Sequence, residues 1–171
     1  QAHQGRIYGL IRMSILRNFP VVCGHRQIGL LQSVSLNEAQ NQVLALIVSC
    51  GIRGKRIVEP SCIEAVGKSF IVARSVQRYK RTREAVPCSF IRDSSGLLCG
   101  RVTDYALDEK TFSVQAVEMS VGYLGKMRRT RLWIYDYRRS ENHAEELIIS
   151  ARLGHELTFA REGNEECAYP P

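Results

Sequence analysis

Short apolar runs, four to nine residues long and separated by polar turns, set the pattern of this chain. Phe19–Cys23 and Ser89–Arg92 are two such runs, followed by the turns Gly24-His25-Arg26 and Asp93-Ser94-Ser95-Gly96. Longer runs follow each turn, Ile28–Leu36 and Cys99–Leu107, and then the polar breaks Asn37-Glu38 and Asp108-Glu109-Lys110. Gln42–Ser49 and Ser113–Val121 come next. In the last of these, Val114, Ala116 and Val117 are apolar while Gln115 and Glu118 are polar, close to the period of two that a half-buried strand requires. Asp can bond its own downstream backbone and Gly accepts positive φ, so Asp-Ser-Ser-Gly is good turn chemistry. Many short strands with close turns predict an all-β fold of small barrels.

The runs come in two matching sets. Shifting the chain by 71 residues places Gly29 on Gly100, Leu36 on Leu107, Glu38 on Glu109, Val43 on Val114 and Ala45 on Ala116. The same shift places Ser49 on Ser120, Gly51 on Gly122, Gly54 on Gly125 and Lys55 on Lys126. These are nine identities in 27 ungapped positions, where ordinary composition would give roughly two. The period is too long for a solenoid, so the chain reads as a duplicated domain. After Gly-x-x-Gly-Lys the copies diverge. The first continues through Arg56–Pro60 and Cys62–Val72, two short strands around Gly67-Lys68; the second has one strand, Arg131–Tyr137.

Outside the copies, residues 1–12 read as an extension or tag ahead of Met13-Ser14 and are set apart from the fold. Ser75–Val86, ended by Pro87, reads as a basic linker over 75–87. The stretch after 139 predicts a short helix: Asn142 with Glu145 has capping-box spacing, Ala144, Leu147, Ile148 and Ala151 would share a face, and Gly154 would end it. Residues 162–171 read as a frayed, flexible tail.

Val21-Val22 before a polar turn, the strand start Ile28-Gly29, the strand Ala45–Val48, and the closing run Arg56–Pro60, Ile63-Glu64-Ala65-Val66-Gly67 and Phe70–Val72 together resemble the PRC-barrel family. The resemblance spans residues 15–74, and 88–137 in part. It implies two PRC-like β-barrels in tandem, 13–74 and 88–139, followed over 140–171 by the helix and tail. The second copy lacks the Ile-x-x-Ile-Gly closure, so its closing strand comes from the tail or from an exchanged strand. The family includes the cytoplasmic domain of a photosynthetic reaction-centre subunit, the C-terminal domain of a ribosome maturation factor and short sporulation-linked bacterial proteins. What it implies is a binding scaffold without shared catalytic residues, in the bacterial cytoplasm; fold alone does not give function.

Charge adds a second possibility. The net charge is +7, or +5 without Arg6 and Arg12, with a pI near 9.3. That balance attracts nucleic acid or acidic partners, and equally serves solubility. Basic residues gather at Arg74, Arg78, Lys80, Arg81 and Arg83 around Tyr79. A second group, Lys126, Arg128, Arg129, Arg131, Arg138 and Arg139, is interleaved with Trp133, Tyr135 and Tyr137. Cations neutralise phosphates and rings stack on unpaired bases, so Arg78, Lys80, Arg81, Arg83, Lys126, Arg128, Arg129 and Arg131 are the candidate RNA-binding residues. The alternative is a solvated linker and a half-buried strand.

Other motifs carry less. Gly51-x-x-Gly54-Lys55 and Gly122-x-x-Gly125-Lys126 follow strands, unlike the interhelical loop of a KH domain, and lack the spacing of a P-loop. They read as hairpin turns, and Gly29, Gly51, Gly54, Gly100, Gly122 and Gly125 as structural positions of the repeat. His3, His25, His143 and His155 have no zinc-ligand spacing, and no two of the six cysteines form C-x-x-C. Cys23 and His25 are the one close nucleophile–base pair, two residues apart on a turn. No run of about 18 apolar residues is present for a membrane span. The sequence therefore predicts a non-catalytic scaffold for protein partners, without cofactor or metal, with RNA or ribosome association and a sporulation-related role as the alternatives.

Overall fold

The structure, a computed structural model, describes residues 9–79, 88–121 and 130–150. Nearly all of its regular structure is β. In chain order the elements are β1 Leu10–Arg12, α1 Met13–Leu16, β2 Pro20–Cys23, β3 Arg26–Leu36, β4 Val43–Ser49, β5 Lys55–Val58, β6 Ile63–Val66, β7 Ile71–Ala73 and β8 Gln77–Arg78. Then come β9 Phe90–Asp93, β10 Leu98–Asp108, β11 Val114–Val121, β12 Thr130–Ile134, β13 Tyr137–Arg139 and β14 Glu146–Ile149. No helix among the described residues is long and apolar enough to cross a membrane.

The strands form two sheets of seven. One runs β6-β7-β2-β3-β4-β5-β8; the other runs β13-β14-β9-β10-β11-β12, with β1 on β10. The first six strands of each follow the same order, and the duplication is reproduced residue by residue. Each cross-strand pair of β3–β4, from Leu30↔Ser49 to Leu36↔Val43, has its β10–β11 counterpart 71 residues on, from Arg101↔Ser120 to Leu107↔Val114. Both hairpins also carry irregularities at matching places, after Leu31 and Ser35 in one and after Val102 and Ala106 in the other.

Gly29 and Gly100 sit where another strand approaches too closely for a side chain. A Cβ on Gly29 would stand 2.1 Å from the Ser49 carbonyl oxygen, and one on Gly100 would stand 2.6 Å from that of Ser120. Gly51 and Gly54 have φ of +62° and +77° and hold the β4–β5 turn, in which Cys50 N–H donates to Gly54 O at 2.9 Å. The Gly-x-x-Gly of the first copy is thus a hairpin turn. Gly122 and Gly125 lie outside the described residues.

Three expectations are corrected. No helix forms over the described residues 142–150: Ser140–Glu145 turn, and Glu146–Ile149 is a strand pairing in parallel with β9, as β7 does with β2. Leu147 and Ile149 are buried while Glu146 and Ile148 are half-buried, a period of two. Leu147 and Ile148 suit either period; the helical face leaves Ile149 out, and burial of Ile149 selects the strand. The tail thereby closes the second copy's strand order. Next, Leu10–Arg12, set apart from the fold, add to β10 as β1. Last, Arg131–Tyr137 is two strands, β12 and β13, separated by Tyr135-Asp136. Within the linker, Gln77–Arg78 pair with β5 as β8. Residues 80–87 and the frayed tail lie outside the described residues.

The two sheets meet tip to tip. Val43 N–H donates to Phe112 O at 3.0 Å, and Val114 N–H to Asn41 O at 2.8 Å, flanking an antiparallel bridge between Gln42 and Ser113. Adding 71 to Val43 and Asn41 gives Val114 and Phe112, so each bond is the other's equivalent and the contact is isologous. Gln40, fully buried with φ +59°, reaches across: its side-chain oxygen accepts from Cys88 N–H and Tyr105 O–H, both at 3.4 Å, and its carbonyl accepts from Tyr137 O–H at 3.1 Å. Buried apolar residues of both sheets belong to one continuous core.

Gly29→Ala should therefore cost about 2–3 kcal/mol, a fall of about 5–10 °C in thermal midpoint. Gly100→Ala should cost less, because the backbone oxygen facing it stands at 2.6 Å against 2.1 Å and the Met119 side chain beside it can move. An unchanged midpoint for Gly29→Ala, read by calorimetry, would remove the close approach as the reason for the shared glycine.

Candidate functional site

Where β1 lies on β10, two buried carboxylates meet two partly exposed arginines. Arg12 Nε sits 3.1 Å from Asp104 Oδ2 and Arg12 Nη2 sits 2.7 Å from Glu118 Oε1; both carboxylate side chains are 4% exposed. Asp104 also accepts the Ser14 N–H at 3.0 Å and the Ser14 hydroxyl, and Glu118 accepts the Thr103 hydroxyl at 2.6 Å. Arg131 lies 3.9 Å from Glu118, and the Arg12 guanidinium stands 5.2 Å from the centre of the Trp133 ring. Asp104 and Glu118 are direct cross-strand neighbours. Two like charges side by side in a core are unfavourable unless cations and hydrogen bonds answer them, and here two arginines and two hydroxyls do.

The first copy has no such cluster. Ser33 and Ile47 occupy the pair equivalent to Asp104 and Glu118, and Ile57 stands opposite Ile47 as Trp133 stands opposite Glu118. The edge above them also differs. β2 pairs with β3 only as far as Leu30, and Phe19 and Asn18 then bond Leu31. Past that point no described residue pairs with the outer edge of Gln32–Leu36, whose far end is equivalent to the part of β10 that β1 covers, Ala106–Asp108. Burial follows: Asp104, Tyr105 and Ala106 are buried, while Ser33, Val34 and Ser35 are half-buried.

Beside the seam lies an open groove of about 440 Å³, lined by residues that include Asn41, Tyr135, Tyr137, Arg138, Arg139 and Glu141. Tyr135 is 54% exposed. Arg139 is committed to structure, donating to the Ala144 and Glu38 carbonyls. Burial pushes Tyr137 up to about 12 and Cys88 up to about 11. The Cys88 thiol therefore stays protonated, and a poor nucleophile, at neutral pH. Two carboxylates shift the other way. Asp93 is held low first by the Ser95 hydroxyl, and Asp108 first by the Thr111 N–H, each within its own turn.

Of the RNA-binding candidates, two are described. Arg78 is exposed on β8 beside Arg56, and Arg131 is on β12 of the other sheet, leaning on Glu118. They lie on different sheets. Lys80, Arg81, Arg83, Lys126, Arg128 and Arg129 fall outside the described residues. Lys55, from the shared Gly-Lys, lies 5.7 Å from the Tyr79 ring. Sequence reasoning missed the Arg12 cluster and the open edge. Asp for Ser and Glu for Ile, at positions the repeat aligns, were the available signal. No protein-family model matches the chain, and no curated protein matches it.

Removing Arg12 leaves two buried carboxylates facing one distant arginine. Arg12→Leu should cost about 3–5 kcal/mol in urea unfolding. Adding Asp104→Ser and Glu118→Ile, the first copy's residues, should recover most of it; no recovery would show that β1 is held by something else. Cys88 and Tyr137 are neutral when protonated, and folding raises both. The folded protein therefore keeps protons that the unfolded chain releases in base. Their stabilisation is complete at neutral pH and is lost as pH climbs from the ordinary values through about 11 and about 12. Unfolding free energy should accordingly decline over that alkaline window, less steeply in Cys88→Ala.

Proposed function

We propose that this chain is a non-catalytic, PRC-barrel-like scaffold of the bacterial cytoplasm that binds protein partners through a strand edge. The observation that supports this most is the outer half of β3. It is a strand edge unpaired among the described residues, in a fold whose other copy pairs the same edge. An unpaired edge offers a row of N–H and C=O groups, and an incoming strand gains main-chain hydrogen bonds there. Gln32–Leu36 contains no Lys, Pro or acidic residue to deter pairing. The repeated strand order, with a parallel closing strand in each copy, supports reading the chain as two PRC-like modules.

A second reading, RNA or ribosome association, draws on one observation: exposed Tyr135 beside Arg138 in the seam groove. A sporulation-related role has no residue-level support. Affinity capture on the full chain with and without nuclease separates the two main readings. The adaptor reading expects nuclease-resistant protein partners, insensitive to salt and lost with Ser35→Lys at an unchanged thermal midpoint. Bound material absorbing at 260 nm, released by salt and lost with Tyr135→Ala and Arg138→Ala, would replace it with RNA binding.

A further inference from the structure

We infer that the edge of β3 left unpaired among the described residues receives an extended, uncharged, apolar segment of a partner protein, running antiparallel along Ser33–Asn37 in the register that β1 takes against Ala106–Asp108. This rests on the adaptor reading and specifies its ligand. The second copy supplies the template. There Leu10, Ile11 and Arg12 pair with Asp108, Leu107 and Ala106, and Ile11 is buried. The equivalents in the first copy are Asn37, Leu36 and Ser35, in the same cross-strand register. A bulged edge often deters pairing by twisting away. Here it does not, because β10 carries the same irregularities and is paired by β1 regardless.

The chemistry of the two seats differs at one place. Arg12 is accepted on β10 because Asp104 and Glu118 answer its charge and Trp133 lies against it. On β3 those positions are Ser33, Ile47 and Ile57. Ile47 is already covered, at 3% exposure, and half-buried Ser33 and Ile57 are left to meet an incoming side chain. A guanidinium laid there would lose water and gain no carboxylate, so the seat selects an aliphatic residue where β1 has arginine. This also argues against β1 of a second copy as the occupant. Leu36, buried at the far end, would face the strand's central apolar residue, as Leu107 faces Ile11.

The test uses the full chain and two end-blocked, labelled peptides. One is Gly-Leu-Ile-Arg-Met-Ser-Ile, copying residues 9–15; the other has Val for Arg. Fluorescence anisotropy should show the Val peptide binding at least tenfold more tightly. Amides within Ser33–Leu36 that exchange freely should become protected by that peptide. Ser33→Asp, a change at a half-exposed position, should shift preference toward the Arg peptide. Equal affinities, with protection still at Ser33–Leu36, would overturn the selectivity and leave edge docking standing. No protection there by either peptide, or protection already complete in the free protein, would overturn edge docking as well.

Discussion

Two backbone hydrogen bonds, Val43 N–H to Phe112 O and Val114 N–H to Asn41 O, fix how the halves of this molecule meet. They are equivalent under the repeat, so the β3–β4 tip and the β10–β11 tip present one surface to each other. A self-complementary contact needs only a single set of residues to work twice. Asn37 and Asp108, at the same place in each tip, both turn a side-chain oxygen back onto their loop amides. That braces the loops in the shape the contact demands. The departures from symmetry are additions: Gln40 reaches into the second half, and the Gln42 amide donates to Thr111 O at 2.8 Å.

With the seam fixed, the copies were free to differ where each sheet meets the rest of the chain. The second half took on an acidic pair that only a cation can make tolerable, and the chain supplies it from its own β1. Such a cluster contributes little net stability compared with well-packed apolar groups, yet it is costly to break. Its effect is to dictate which segment lies on β10. The first half has Ser33, Ile47 and Ile57 at the same place and no described segment upon it. One duplication thus yields one seat that β1 occupies and one that no described residue occupies.

Much of this was legible in the sequence. Apolar runs between polar turns located β2–β4 and β9–β11 to within two residues, and the identities at a spacing of 71 announced the shared register. Gly51 and Gly54 hold the hairpin turn that their spacing suggested, whereas the close carbonyls facing Gly29 and Gly100 had no signal in the sequence. What sequence could not decide depended on distant pairing. Glu146–Ile149 is too short for its periodicity to decide, and contact with β9, more than fifty residues away, makes it a strand. Leu10–Arg12 is three residues long and has no pattern of its own. Glu118 reads as an outward polar position until Arg12 is seen against it. The basic residues formed two groups in the sequence, and the described member of each, Arg78 and Arg131, lies on a different sheet.

The isologous seam has a consequence for assembly. A contact that joins two equivalent tips inside one chain joins the tips of two chains with the same bonds. What keeps it internal is the high local concentration set by the stretch from Tyr79 to Cys88, together with the pairing of β1 on β10 and the reach of Gln40. Shortening that stretch until the halves cannot fold back would leave the pairing intact and change only its partner. The product would be an exchanged dimer in which each seam is built from two molecules, and the number of open β3 edges per particle would double.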